Sequence, residues 1–161
     1  KSIELEELGD VSGKSLLHLQ CHFGLDTMSW ARLGARVTGA AFSDNAIDLA
    51  RSLSQELGID ARFVLSDIYD LPGALTEKFD IVFTSYGALV WLPDLSRWAK
   101  VIEGFLKPGG FSTSLTRTRL VTSCITMTTP QICVRTINTQ SRSRTRWRSL
   151  RGQHAPTGRP S

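Results

Sequence analysis

The feature that most constrains this chain is the alternation, over residues 13–111, of short apolar runs with segments of helical periodicity. Ser15–Leu19 suits a strand, Leu25, Met28, Trp30 and Leu33 follow in a helical segment, and Gly34 stops that helix. Arg36–Ala41 reads as strand two. Ser43 N-caps a helix with Ile47, Leu49, Ala50, Leu53 and Leu57 on its apolar side, and Gly58 ends it. Ala61–Leu65 and Phe79–Thr84 read as strands three and four. Residues 95–106 read as a helix with Trp98, Val101, Ile102 and Phe105 on one side, which Pro108-Gly109-Gly110 forbids from continuing. This alternation predicts an α/β fold, a mostly parallel, doubly wound sheet with helices on both faces. Such sheets bind ligands at the carboxyl ends of the strands, beside strand one. Residues 20–26, 41–44, 67–70 and 85–91 then share one rim.

The loop after strand one, Gln20-Cys21-His22-Phe23-Gly24-Leu25-Asp26-Thr27, holds a single glycine and not the three of a dinucleotide fingerprint. A nucleotide without phosphates fits it better. Asp67, after strand three, can accept from an exocyclic amine such as that of adenine, and Ile68 can pack on a ring face. The alternative for Asp67 is a solvated loop acid.

Five segments in order, LLHLQCHFGLDT, VTGAAFSDNAIDLAR, RFVLSDIYDLP, FDIVFTSYGALVWLPD and FLKPGG, resemble a class I S-adenosylmethionine-dependent methyltransferase of the Rossmann-like type, over residues 13–111, about 60% of the chain. The resemblance implies S-adenosylmethionine as cofactor and a small molecule as methyl acceptor. It implies that Cys21, His22 and Gly24 line the methionine part, Phe42 and Ser43 border the ribose, Asp67 and Ile68 hold adenine, and Ser85 and Tyr86 face the sulfonium. Two departures stand out. The family often has an acid where this chain has Gln20, and usually Asp or Glu at the end of strand two, where this chain has Ala41. The second acid would bind the ribose hydroxyls, and its loss costs about 1.5–3 kcal/mol, roughly ten- to a hundredfold in affinity. Asp44 is close by, but at a helix start it reads as a dipole partner.

Methyl transfer from a sulfonium is an in-line displacement on an activated donor, so positioning supplies most of the acceleration. No catalytic residue is assigned. His22 and Tyr86 are rim groups able to take a proton, but His22 reads better as a hydrogen-bonding residue and Tyr86 as a packing one. Trp91 either covers the substrate or anchors the turn before Leu92-Pro93.

Charge divides the chain where the pattern ends. Residues 1–111 hold ten Lys or Arg against all fifteen Asp or Glu, a net −5, whereas residues 112–161 hold nine Arg, no Lys and no acid; the overall +4 conceals this split. Eighteen of the last fifty residues are Ser or Thr. Residues 142–148 suit phosphate contacts, with Trp147 to stack on a base, yet the absence of Lys tells against a nucleic-acid-binding arm. Back-translated and read one nucleotide upstream, the tail permits FYIADAHPFGH from Phe111 onward, an apolar strand five where the sheet needs one. The expectation is therefore an incomplete cofactor-binding core over 1–111, a single-base slip at the Phe111 codon, and a basic, largely disordered tail over 112–161. Phe111 to Thr116 alternates enough for a short strand five, and nothing after it clearly supplies a closing hairpin. The chain, with a short helical stretch over residues 3–8 before strand one, reads as the middle of a longer protein.

No apolar run approaches the roughly 20 residues of a membrane span. Three cysteines without CxxC spacing favour a reduced, cytoplasmic setting, and His18, His22 and His154 give no metal constellation. Three other readings remain: an inactive cofactor-binding fragment, a nicotinamide-dependent oxidoreductase domain weakened by the missing GxGxxG, and a nucleic-acid binder acting through the tail.

Overall fold

A computed structural model of the chain describes residues 8–84, 87–115, 120–125, 132–137 and 147–149. Strands β1 (Ser15–Leu19), β2 (Arg36–Ala41), β3 (Ala61–Leu65), β4 (Phe79–Thr84) and β5 (Leu106–Leu115) pair in parallel in the spatial order β3-β2-β1-β4-β5. Helices α1 (Leu25–Arg32), α2 (Asp44–Glu56), α3 (Leu71–Ala74) and α4 (Leu95–Phe105) connect them, with a 3₁₀ turn at Ala88–Trp91. This is the doubly wound, Rossmann-like sheet that the alternation predicts. The helical stretch expected over residues 3–8 falls, up to residue 7, outside the described residues.

Period-two alternation along β1 sends Leu16 and Leu17 to opposite faces of the sheet. Leu16 packs with Trp30 of α1, Val37, Ile81 and Phe83. Leu17 and Leu19 pack with Leu71, Val82, and Val101, Ile102 and Phe105 of α4. A third cluster joins Met28 of α1 and Ile47 and Ala50 of α2 to Cys21, Ala41 and Phe63. The buried residues of α2 are Ile47, Ala50 and Ser54, while Leu49 and Leu57 are about half exposed. The apolar side expected for that helix is therefore corrected: Leu49 lies two residues from Ile47, far round the helix from the buried stripe.

The helix of α4 ends at Phe105 and the chain enters β5 with no loop between. The β4–β5 register passes from Phe79↔Leu106 to Ile81↔Phe111, so Pro108-Gly109-Gly110 forms an irregularity within the strand pair. Gly109 there has φ +78, and a Cβ on Gly110 would lie 3.0 Å from the Asp80 carbonyl oxygen. Beyond β5 the structure describes β6 (Leu120–Ile125), β7 (Ile132–Ile137) and β8 (Trp147–Ser149), each antiparallel to its neighbour. Strands thus follow β5 where composition indicates no clear closing hairpin. LVTSCI and ICVRTI are rich in β-branched residues, which suit a pleated sheet whatever their polarity.

At the amino ends of the strands, Ser15, Asp80 and Lys107 tie β1, β4 and β5 together. The Ser15 N–H and hydroxyl donate to Asp80 Oδ2 at 2.8 and 2.7 Å, and Lys107 Nζ donates to both Asp80 carboxylate oxygens at 3.1 and 3.0 Å. Partial burial opposes ionisation of Asp80, but the Ser15 donors and the Lys107 ammonium outweigh it and hold the carboxyl at about 2.

Candidate functional site

β1 ends in parallel register beside β2, Leu19 opposite Ala40, so Gln20 and Ala41 emerge side by side at the carboxyl edge. The Cys21 N–H donates to the Ala40 carbonyl at 2.9 Å and carries the pairing one residue further. The loop then alternates: Gln20, His22 and Gly24 all have left-handed backbone, with φ of 56°, 53° and 77°. This is the conformation that glycine adopts at no steric cost, yet only Gly24 is glycine. The glycine count therefore understates how tightly the loop turns. Gly24 opens α1, its N–H donates to the Cys21 carbonyl at 2.9 Å, and a Cβ there would lie 2.6 Å from the Phe63 ring. Beneath the loop, His18 Nδ1 and Thr27 Oγ1 share a hydrogen bond of 2.7 Å, both fully buried, which joins β1 to the first turn of α1.

A cavity of about 590 Å³ opens on this rim. Gln20, Ala41, Phe42, Asp67, Ile68, Tyr69 and Trp91 border it, with Leu19 and Leu71 at its base. Its size falls within the range of small-ligand sites, and an apolar lining with few polar groups is what such sites share. The Tyr69 N–H donates to Asp67 Oδ1 at 2.8 Å, which fixes the carboxylate. The Tyr69 hydroxyl donates to the Asp94 carbonyl and accepts from the Asp94 N–H, at 3.0 and 3.1 Å, and the Arg97 guanidinium lies 4.7 Å from the Tyr69 ring centroid. The segment after β3 is thereby anchored to the start of α4. Gln20 Oε1 is buried and has no hydrogen-bond partner among the described residues.

The structure gathers only part of the expected set. Phe42, 77% exposed, Asp67 and Ile68 do border one cavity. Ser43 caps α2 instead, its Oγ accepting from the Ala46 N–H at 3.3 Å. The Cys21 side chain lies under the loop among Met28, Ile47 and Phe63, where burial pushes its thiol up to about 12 against the opposing hydrogen bonds. It packs rather than faces the cavity. His22 is exposed with its ring edge-on to Phe23 at 4.3 Å, and Ser85 and Tyr86 lie outside the described residues. Gln20 and Tyr69 border the cavity although sequence reasoning gave them no site role. Tyr69 carried a signal, an aromatic two residues after the rim acid.

A wider cleft of about 680 Å³ opens at the amino ends of the strands, near Ser15, Arg36 and Lys107. It lies across the sheet from the switch-point rim, and Lys107 there is engaged by Asp80. The rim cavity is the better candidate, since the carboxyl ends of the strands are where such sheets bind ligands.

A family profile described as a methyltransferase domain matches residues 16–110. The ubiquinone biosynthesis O-methyltransferase of Xanthomonas euvesicatoria pv. vesicatoria (strain 85-10) is 32% identical over 111 residues, 68% of this chain and 46% of that protein. The chain thus spans about half the length of the curated relatives it matches. A structure solved in work on the conversion of a disulfide bond into a thioacetal group during echinomycin biosynthesis superposes with a TM-score of 0.61 at 32% identity, over 70% of this chain and 48% of that one. The [4+2]-cyclase SpnF superposes with a TM-score of 0.62 at 26% identity, over 70% and 42% of the two chains.

Proposed function

The chain belongs to the methyltransferase-domain family, of the class I S-adenosylmethionine-dependent type, and from that premise we propose that its rim cavity binds S-adenosylmethionine and presents the methyl group to a small-molecule acceptor. One observation carries this reading: Phe42, Asp67 and Ile68, from the ends of two different strands, border a single space of about 590 Å³. The donor set suits a nucleoside. Asp67 offers a carboxylate oriented by the Tyr69 N–H, Ile68 offers an apolar side chain at the cavity wall, and Gln20 Oε1 is a buried acceptor with no hydrogen-bond partner among the described residues.

When bound, S-adenosylmethionine supplies a methyl group on a sulfonium, an activated carbon open to in-line attack. The chain's own residues bind and orient. Asp67 would accept from the exocyclic amine of adenine, and Phe42 and Ile68, which border the same cavity, would help to hold the nucleoside. The His18–Thr27 hydrogen bond and the Gly24 turn hold the loop against α1. Trp91, 83% exposed, and Leu92 also border the cavity, and on this reading Trp91 would cover a seated acceptor. Orientation accounts for most of the rate enhancement; as the acceptor oxygen bonds to the methyl carbon, the carbon–sulfur bond would break to leave S-adenosylhomocysteine, and the hydroxyl proton would pass to solvent, since no described side chain is assigned as a base. An oxygen nucleophile is the acceptor atom this reading favours, from the O-methyltransferase names of the curated relatives. The likeness to a structure named as a [4+2]-cyclase favours a second reading, in which the same fold serves a reaction other than methyl transfer.

Calorimetric titration of wild-type and Asp67→Ala chains with S-adenosylhomocysteine tests the proposal. Asp67→Ala is expected to weaken binding by about tenfold or more, the loss of a charge-assisted hydrogen bond. Equal affinity of the two chains would remove Asp67 from the site. Methyl transfer from labelled cofactor to hydroxyl-bearing small molecules separates the two readings, since the second predicts no transfer.

A further inference from the structure

We infer that Gln20 is the acceptor for the ribose hydroxyls in this chain, a neutral substitute for the carboxylate missing at Ala41; the inference rests on the cofactor reading above. Parallel register places the two residues side by side where β1 and β2 end, and both border the rim cavity. Gln20 Oε1 is buried without a partner among the described residues, and a buried acceptor left unpaired is costly unless a ligand satisfies it. The backbone at Gln20 is left-handed, φ 56, where glycine would be free of strain. A long polar side chain held at such a position marks a place where the side chain matters.

The surroundings explain an amide rather than a carboxylate. Ala41 is 7% exposed and packs with Cys21, Met28, Ile47 and Phe63. An ionised side chain there would lose its hydration against an apolar cluster before any ligand arrived. The amide oxygen of Gln20 carries no net charge, suffers less from burial, and accepts from one or two hydroxyl groups.

The test is calorimetric titration of the 161-residue chain with S-adenosylhomocysteine and with its 2′-deoxy and 3′-deoxy analogues. The wild type is expected to bind the parent compound about 3- to 10-fold more tightly than the analogue lacking the contacted hydroxyl, the range of a neutral hydrogen bond. Gln20→Met is expected to weaken the parent by the same factor and to abolish the discrimination. Gln20→Gly, which relieves the backbone strain, is expected to melt higher and yet lose the same affinity, so a damaged fold cannot account for the loss. Preserved discrimination in both Gln20 variants, with binding intact, overturns the assignment of Gln20 alone. A wild-type chain that binds none of the compounds overturns the cofactor reading, and this inference with it.

Discussion

His22 holds a left-handed backbone, φ 53, on an exposed side chain whose ring contact is with its neighbour Phe23. A Cβ in that region costs about 1 kcal/mol or more. His22→Gly is therefore expected to raise the unfolding free energy by up to about 1 kcal/mol in urea titration, after the added freedom of the unfolded glycine is subtracted. Gly24→Ala goes the other way. Its φ of 77° and the Phe63 ring 2.6 Å from a new Cβ combine strain with overpacking, a loss of about 2–4 kcal/mol. Cys21, its thiol raised to about 12 by burial, is expected to resist iodoacetamide at pH 8 in the folded chain and to react after denaturation, as read by peptide mass mapping. At this scale the sequence was partly legible. Asp67 announced itself as an acid closing an apolar strand. The glycine-like turn at Gln20 and His22 did not, because neither residue type signals φ > 0. The direction of Cys21 was hidden too, since side chains in a left-handed turn do not follow the period of two that orders β1.

Two of the described helices start on a side-chain cap, and of these caps Ser43 was legible in the sequence. Ser43 caps α2, and Asp94 Oδ1 accepts from the Arg97 N–H at 2.9 Å at the start of α4. Asp94→Ala is expected to lower stability by about 1 kcal/mol in urea titration, while the Tyr69 contacts, made to the Asp94 backbone, survive it. Helix faces were harder to read. Ser54 turns inward from α2 and Leu49 and Leu57 turn outward, so a count of apolar residues chose a wider stripe than the sheet covers. Strands β1 and β4 were plain in the sequence because they are almost wholly buried and read as mostly apolar runs, whereas β3, at the edge of the sheet, is mostly half-buried or exposed and carries Arg62. The β4–β5 irregularity was not plain. Pro108-Gly109-Gly110 signals a stop to the helix, but not that the strand has already begun at Leu106.

Across the whole molecule, the two ends of the sheet divide the work. The amino ends are clasped by Ser15, Asp80 and Lys107, and the carboxyl ends open into the rim cavity. The clasp makes a pH prediction. The folded carboxyl of Asp80, at about 2, lies below its unfolded value near 4, so its stabilisation is fully present above about pH 4 and disappears as pH falls toward 2. Solvent reaches about a third of that side chain and limits the size of the effect. Urea midpoints followed from pH 6 to pH 2 are expected to decline over that window in the wild type and less steeply in Asp80→Asn. That the sheet is mostly parallel and doubly wound followed from the alternation of elements, whereas the order β3-β2-β1-β4-β5 was not read from the sequence and comes from the structure. Nor were the strands after Leu115 read there, because a Ser/Thr/Arg-rich composition hides the β-branched residues of LVTSCI and ICVRTI. Whether this rim is a cofactor cleft decides the function of the whole molecule. Titration of the 161-residue chain with S-adenosylhomocysteine at low and high salt is predicted to give saturable one-to-one binding with little dependence on salt. Absence of saturable binding, together with strongly salt-dependent binding to duplex DNA, would contradict it.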